Sequence, residues 1–203
     1  MNTELVGMIS GALVIASGIP YVFRTYQKKV RPNITSWSLW AVIGLVLLLT
    51  YKASGAEDNV WPAVFGFTNP TIITAVAIWR RAERKRMTVW EIFSAVGCVL
   101  SLTVWWGVRE EQELAQYALY LAILADLFAA IPTIIFVWTE PAEDRPGAWM
   151  MYAFAYGMAV FAVSTPTFAN YALPIYMFFG ALSTALPLTL YRIKKKIPIK
   201  EWT

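Results

Sequence analysis

A small set of side chains inside the apolar stretches of this chain has chemistry to offer. Asp126 stands in the middle of "YLAILADLFAA", and Asn69 sits between Gly66 and Pro70 in "GFTNPTI". Ser183 and Thr184 lie in the last apolar run, and Trp37 and Trp149 each open one. A charged group at membrane depth costs about 2.5–3.5 kcal/mol, so Asp126 is expected to face protein or a cavity and to be functional. Pro70 leaves the Gly66 carbonyl without its helical partner, and the Asn69 amide brings donors and an acceptor to the same place. Hydroxyls at Ser183 and Thr184 and flat rings at Trp37 and Trp149 complete a set suited to holding a polar solute. Bond-making chemistry is not indicated. The chain has no histidine and a single cysteine, Cys98. It shows no metal-ligand spacing and no serine or cysteine with a base partner, so no catalytic residue, metal or cofactor is expected.

The elements that must position these groups are membrane helices. Of 203 residues, 58% are apolar and 15% aromatic, with mean hydropathy +0.52. About 20 mostly apolar residues span a bilayer core of roughly 30 Å. Seven such runs can be laid out: Leu5–Phe23, Thr35–Ala53, Trp61–Trp79, Thr88–Val108, Tyr117–Trp138, Gly147–Val163 and Ala172–Tyr191. Little chain remains for a soluble domain. Glu4 precedes the first run, while Arg24, Lys28, Lys29 and Arg31 follow it, which is the reverse of a signal peptide and puts the N-terminus outside. With seven crossings the C-terminus is cytoplasmic, and fifteen of the seventeen Lys and Arg residues fall in inside loops. "RRAERKR" (Arg80–Arg86) is then an orientation signal, and no nucleic-acid partner is expected. "TVWE" (Thr88–Glu91) reads as a capping box opening the fourth run, and Cys98 as a small packing residue. An integral, multi-pass protein of the plasma (inner) membrane is the simplest fit.

The chain also repeats itself. "IPYVFRTYQKKVRPNITSW" (Ile19–Trp37) and "IPTIIFVWTEPAEDRPGAW" (Ile131–Trp149) coincide on sliding the sequence by 112 residues. The same shift pairs Pro62 with Pro174 and Arg80 with Arg192. Three spans therefore match three spans in a parallel repeat, and the unpaired fourth becomes the linker that restores orientation. The expected organisation is all-α: a first three-helix repeat over 1–87, a linker helix over 88–116, and a second repeat with a basic tail over 117–203.

This 3+1+3 pattern, with a proline near the inner end of the first span of each triplet, resembles the SWEET and PQ-loop transporter superfamily over essentially the whole chain. The glutamine of the PQ loop is replaced by Tyr21 after Pro20 and by Thr133 after Pro132. The resemblance implies alternating access of a sugar or similar small polar metabolite, with Asn69 at the position of a substrate-contacting asparagine. Its overlaid position holds Ala181, beside Ser183 and Thr184. The expected partners are a small-molecule solute and membrane lipid, with a homo-oligomer left open by the sequence. The alternative is a non-transporting seven-helix receptor or signalling module using the same central cavity. A retinal photoreceptor is excluded because the last run, Ala172–Tyr191, contains no lysine.

Two further expectations concern mechanism. Pro20 and Pro132 lack the N–H that would bind the carbonyls of Ala16 and Phe128, which makes them candidate hinges at equivalent places. Pro62 and Pro174 are expected in the first turns of their spans, where proline is tolerated. Small residues line one face of the first and fifth spans, so these helices should pack closely. Asp126 overlays Val14, leaving one repeat alone with a carboxyl group through which proton coupling would run.

Overall fold

The computed structural model describes residues 2–29 and 32–202; Arg31, counted among the inside charges, lies outside them. Seven helices follow in order: α1 (Thr3–Tyr26), α2 (Ile34–Ala53), α3 (Trp61–Trp79), α4 (Val89–Val108), α5 (Gln112–Thr139), α6 (Pro146–Val160) and α7 (Phe168–Lys194). Single 3-10 turns at Asp58–Val60 and Ile199–Glu201 complete the secondary structure, and no strand occurs among the described residues. Six of the helices are long and apolar enough to cross a membrane. The expected sixth span is the exception. α6 has 15 residues, about 22 Å of helix against the roughly 30 Å of a bilayer core. It ends at Val160 because the chain turns at Phe161 and runs irregularly to Thr167.

Local chemistry explains several boundaries. The Asn2 and Asn33 side chains accept the Leu5 and Thr35 N–H groups and start α1 and α2. Thr88 and Glu91 form the expected reciprocal capping box, and Glu91 also accepts the Ser36 hydroxyl, tying α4 to α2. α5 begins at Gln112, inside the stretch assigned to the linker, because Gln112, Glu113 and Gln116 extend the helix ahead of its apolar part. Pro62 stands in the first turn of α3 as expected. Pro174 does not: α7 starts earlier, at Phe168, under a Thr167 cap, which leaves Pro174 inside the helix. α1 and α5 continue as helix through Pro20 and Pro132.

The helix pairings come in two matching sets. α3 packs on both α1 and α2, and α7 packs on both α5 and α6. Across the molecule α1 meets α6 and α2 meets α5, while α4 lies against α5 and α2. Small residues make these approaches possible. A Cβ on Gly44 would stand 2.9 Å from the Phe67 backbone, and one on Gly97 would stand 2.9 Å from the Ala125 side chain. The buried core joins α2 and α5 through Leu39, Ile43, Val46, Leu47, Leu119 and Ala122, with Leu173 from α7. On its outer face α4 exposes Trp90, Phe93, Val96, Val99 and Leu100, a surface suited to lipid.

Candidate solute site

A cavity of about 1040 Å³ runs between the helices, with walls from α1, α2, α3, α5, α6 and α7. Both members of several pairs set by the 112-residue shift line it: Gly18 and Ala130, Tyr21 and Thr133, Trp37 and Trp149, Trp40 and Tyr152, Asn69 and Ala181. Its mouth is built by Arg24, Gln27 and Lys29 on one side and by Glu143, Asp144 and Arg145 on the other. These are the two repeated stretches of the sequence. Both stretches thus contribute to one opening.

Asp126 lies at the middle of α5 and on the cavity wall. Its Oδ2 accepts the Tyr176 hydroxyl of α7 at 2.7 Å. Asn69 is buried, and its amide nitrogen donates to the Val14 carbonyl of α1 at 2.7 Å. Gly18 makes room for it, since a Cβ there would lie 2.4 Å from the Asn69 oxygen. The Ser17 hydroxyl donates to the same carbonyl at 2.6 Å. Across the cavity the Tyr152 and Tyr156 rings stand 4.9 Å apart, and the Tyr156 hydroxyl donates to the Pro62 carbonyl at 3.1 Å. Gly66 permits this approach, with the Tyr156 hydroxyl 2.7 Å from where its Cβ would be. Nearer the mouth Trp37 packs between Tyr21 at 4.9 Å and Trp40 at 5.3 Å. The Trp149 indole donates to the Asp144 carboxylate at 3.0 Å.

Of the residues singled out from the sequence, Asn69, Asp126, Thr184, Trp37, Trp149 and Pro20 line this cavity together. Ser183 does not. Successive helical residues point about 100° apart, and Ser183 faces away, its hydroxyl on the Gly180 carbonyl and its own carbonyl accepting the exposed Trp138 indole. Pro132 is likewise off the wall, although Thr133 beside it is on it. Asn69 already holds a helix in place. Asn69→Ala is therefore expected to cost about 1 kcal/mol, the net worth of one buried hydrogen bond, seen as a Tm lower by roughly 2–4 °C. An unchanged Tm would show that the Val14 bond contributes nothing to stability.

The opposite end of the cavity is closed by residues that sequence reasoning missed. The Tyr51 hydroxyl donates to the Asn170 carbonyl at 2.7 Å, and the Asn59 amide donates to the same carbonyl at 3.1 Å and to the Tyr51 hydroxyl. The Asn170 amide in turn donates to the Gly55 carbonyl at 3.3 Å and the Thr165 carbonyl at 2.9 Å. All three side chains are at least 98% buried, with exposures of 1%, 2% and 1% for Tyr51, Asn59 and Asn170. Nearby, Ser10 of α1 donates to the Ala155 carbonyl of α6 at 2.7 Å, and Thr3 to Asp58 at 2.6 Å. The only signal in the sequence was one asparagine just ahead of α3 and another just inside the start of α7. Set against known protein families, characterised proteins and solved structures, the chain matches none of them.

Proposed function

We propose that this chain is a small-solute transporter working by alternating access between two three-helix bundles, α1–α3 and α5–α7, joined by α4. The observation that carries the proposal is a central cavity open at one end and closed at the other by hydrogen bonds that cross between the two halves. A site reached from one side at a time is what alternating access requires. The reciprocal pairing of α1 with α6 and α2 with α5 supports a rocking motion of one half on the other. In this reading the open, basic end is cytoplasmic, because Arg24, Lys28, Lys29, Arg80, Arg81, Arg84 and Arg145 gather there. α6 makes the sixth of seven crossings, and its short helix borders the cavity mouth through Trp149, where water takes the place of lipid. Pro20 and Pro132 are the hinges at which each half would bend.

The test is flux. Liposomes loaded with a defined mixture of sugars, amino acids, amines and nucleosides, with and without the purified protein, are sampled over time for released solutes by mass spectrometry. Transport predicts faster exit of one chemical class through the protein-containing membrane. Release no faster than from protein-free liposomes for every class overturns it and leaves a non-transporting receptor.

A further inference from the structure

We infer that the deep part of the cavity takes a small organic cation, its charge opposite Asp126 and its apolar body against the surrounding aromatic rings. This narrows the transport reading and rests on it for the solute's passage, though not for its binding. Three observations carry it.

The first is charge. Asp126 accepts one hydrogen bond from Tyr176 and makes no ion pair among the described residues. The basic residues that line the cavity, Arg24, Lys29 and Arg145, are all at the mouth beside Glu143 and Asp144. Arg24 stands ten residues beyond Val14, about 15 Å of helix from the level at which Asn69 meets α1. The deep cavity thus offers a negative group with no fixed cation of its own. An anionic solute, or the carboxylate of a zwitterion, would find no partner there.

The second is the hydrogen-bonding inventory. The hydroxyls of Ser17, Tyr156, Tyr176 and Thr184 each give their hydrogen to a protein acceptor, and the Asn69 amide gives one of its own. What these groups have left for a solute is mainly acceptor oxygen, with the Tyr152 hydroxyl and the second Asn69 N–H as the deep donors. A polyhydroxylated solute needs donors as well as acceptors, whereas a cationic nitrogen needs acceptors alone, whether it offers N–H groups or, as a quaternary ammonium, polarised N-methyl groups.

The third is the wall itself. Tyr152 and Tyr176 put aromatic rings on the wall at the depth of Asp126, backed by the buried Tyr156, and Trp40 and Trp37 continue the aromatic surface toward the mouth. Ring faces attract cations, most strongly where water is excluded.

The experiment measures binding to the full chain in detergent by thermal shift and by quenching of tryptophan fluorescence. The probes are choline, benzyltrimethylammonium, the uncharged choline isostere 3,3-dimethylbutan-1-ol, the zwitterion glycine betaine, and glucose. The expected result is binding of one or both cations, with dimethylbutanol, betaine and glucose roughly tenfold weaker or more. Asp126→Asn should remove the preference for choline over its neutral isostere, and Asp126→Glu should restore part of it. Equal or tighter binding of the neutral isostere or glucose overturns the inference, as does failure of both cations to bind. Because the comparison of isosteres is made on the unaltered protein, a variant that does not fold leaves the test intact. Choline bound but not carried across liposomes would overturn transport and keep the cation site; glucose carried and choline ignored would do the reverse.

Discussion

Replacing Asn170 by alanine is expected to open the sealed end of the cavity. The Asn170 amide is the group that satisfies the Gly55 carbonyl of the α2–α3 connection and the Thr165 carbonyl of the α6–α7 connection. Alanine leaves the Gly55 carbonyl without that donor, while the Thr165 carbonyl keeps the Thr167 N–H, and a buried unsatisfied polar group costs about 1–3 kcal/mol. Water reaches the Gly55 carbonyl when the two halves part at this end, so the cost falls on the closed state and shifts the balance toward the open one by roughly tenfold. The measurement uses Met177→Cys on the cavity wall, in a background where Cys98, the chain's one cysteine, is replaced by alanine. A membrane-impermeant thiol reagent applied to each face of oriented vesicles should label Cys-bearing protein from the basic-end face alone when Asn170 is present. With Asn170→Ala it should label from both. The Tyr51 and Asn59 bonds end on the Asn170 backbone carbonyl, which alanine retains, so labelling that stays one-sided at the original rate would mean that the Asn170 amide is not what keeps this end shut.

Gly7→Ala is expected to be among the most damaging single-methyl changes in the chain. A Cβ at Gly7 would lie 1.9 Å from the Asp58 carbonyl oxygen, which is backbone and cannot swing aside. Either α1 or the Asp58–Val60 turn must retreat, and overpacking of this kind costs about 1–3 kcal/mol. The retreat would also break the Thr3 to Asp58 hydrogen bond. A Tm lower by roughly 2–12 °C is the expected outcome, on the scaling of about 2–4 °C per kcal/mol. Gly180→Ala is the matched comparison. It has open space where the methyl would go, and it sits within α7, where alanine is favoured over glycine by about 0.5–1 kcal/mol. Its Tm should hold or rise. Equal Tm values for the two variants would show that α1 does not need its close approach to the Asp58 turn.

Several parts of this molecule could be read from residue order alone, because they depend on local chemistry or on solvent. Six membrane-length helices follow from runs of apolar residues, whose length must match a bilayer wherever the rest of the chain goes. The capping box at Thr88 and Glu91 follows from a spacing of three residues, and it formed as written. The functional candidates Asp126, Asn69, Trp37 and Trp149 were legible because polar or paired aromatic residues at membrane depth stand out against an apolar background.

Other features depended on which helices meet. Ser183 and Thr184 are neighbours in sequence, yet only the packing of α7 decides that Thr184 lines the cavity and Ser183 turns away. The length of α6 was overestimated because apolar residues continue past Val160 where the helix does not, and hydropathy carries no record of where backbone hydrogen bonding stops. Tyr51 gave no signal, and Asn59 and Asn170 only that of an asparagine beside a helix start, since each is an ordinary polar residue at the end of a run. They become a seal because α2, the turn before α3, and the start of α7 converge at one end, bringing together groups 8 to 119 residues apart. Residue order sets what each helix can bury and offer; which offers meet is decided by tertiary contact, because a hydrogen bond at membrane depth stabilises only when its partner, however distant in the chain, is packed within reach.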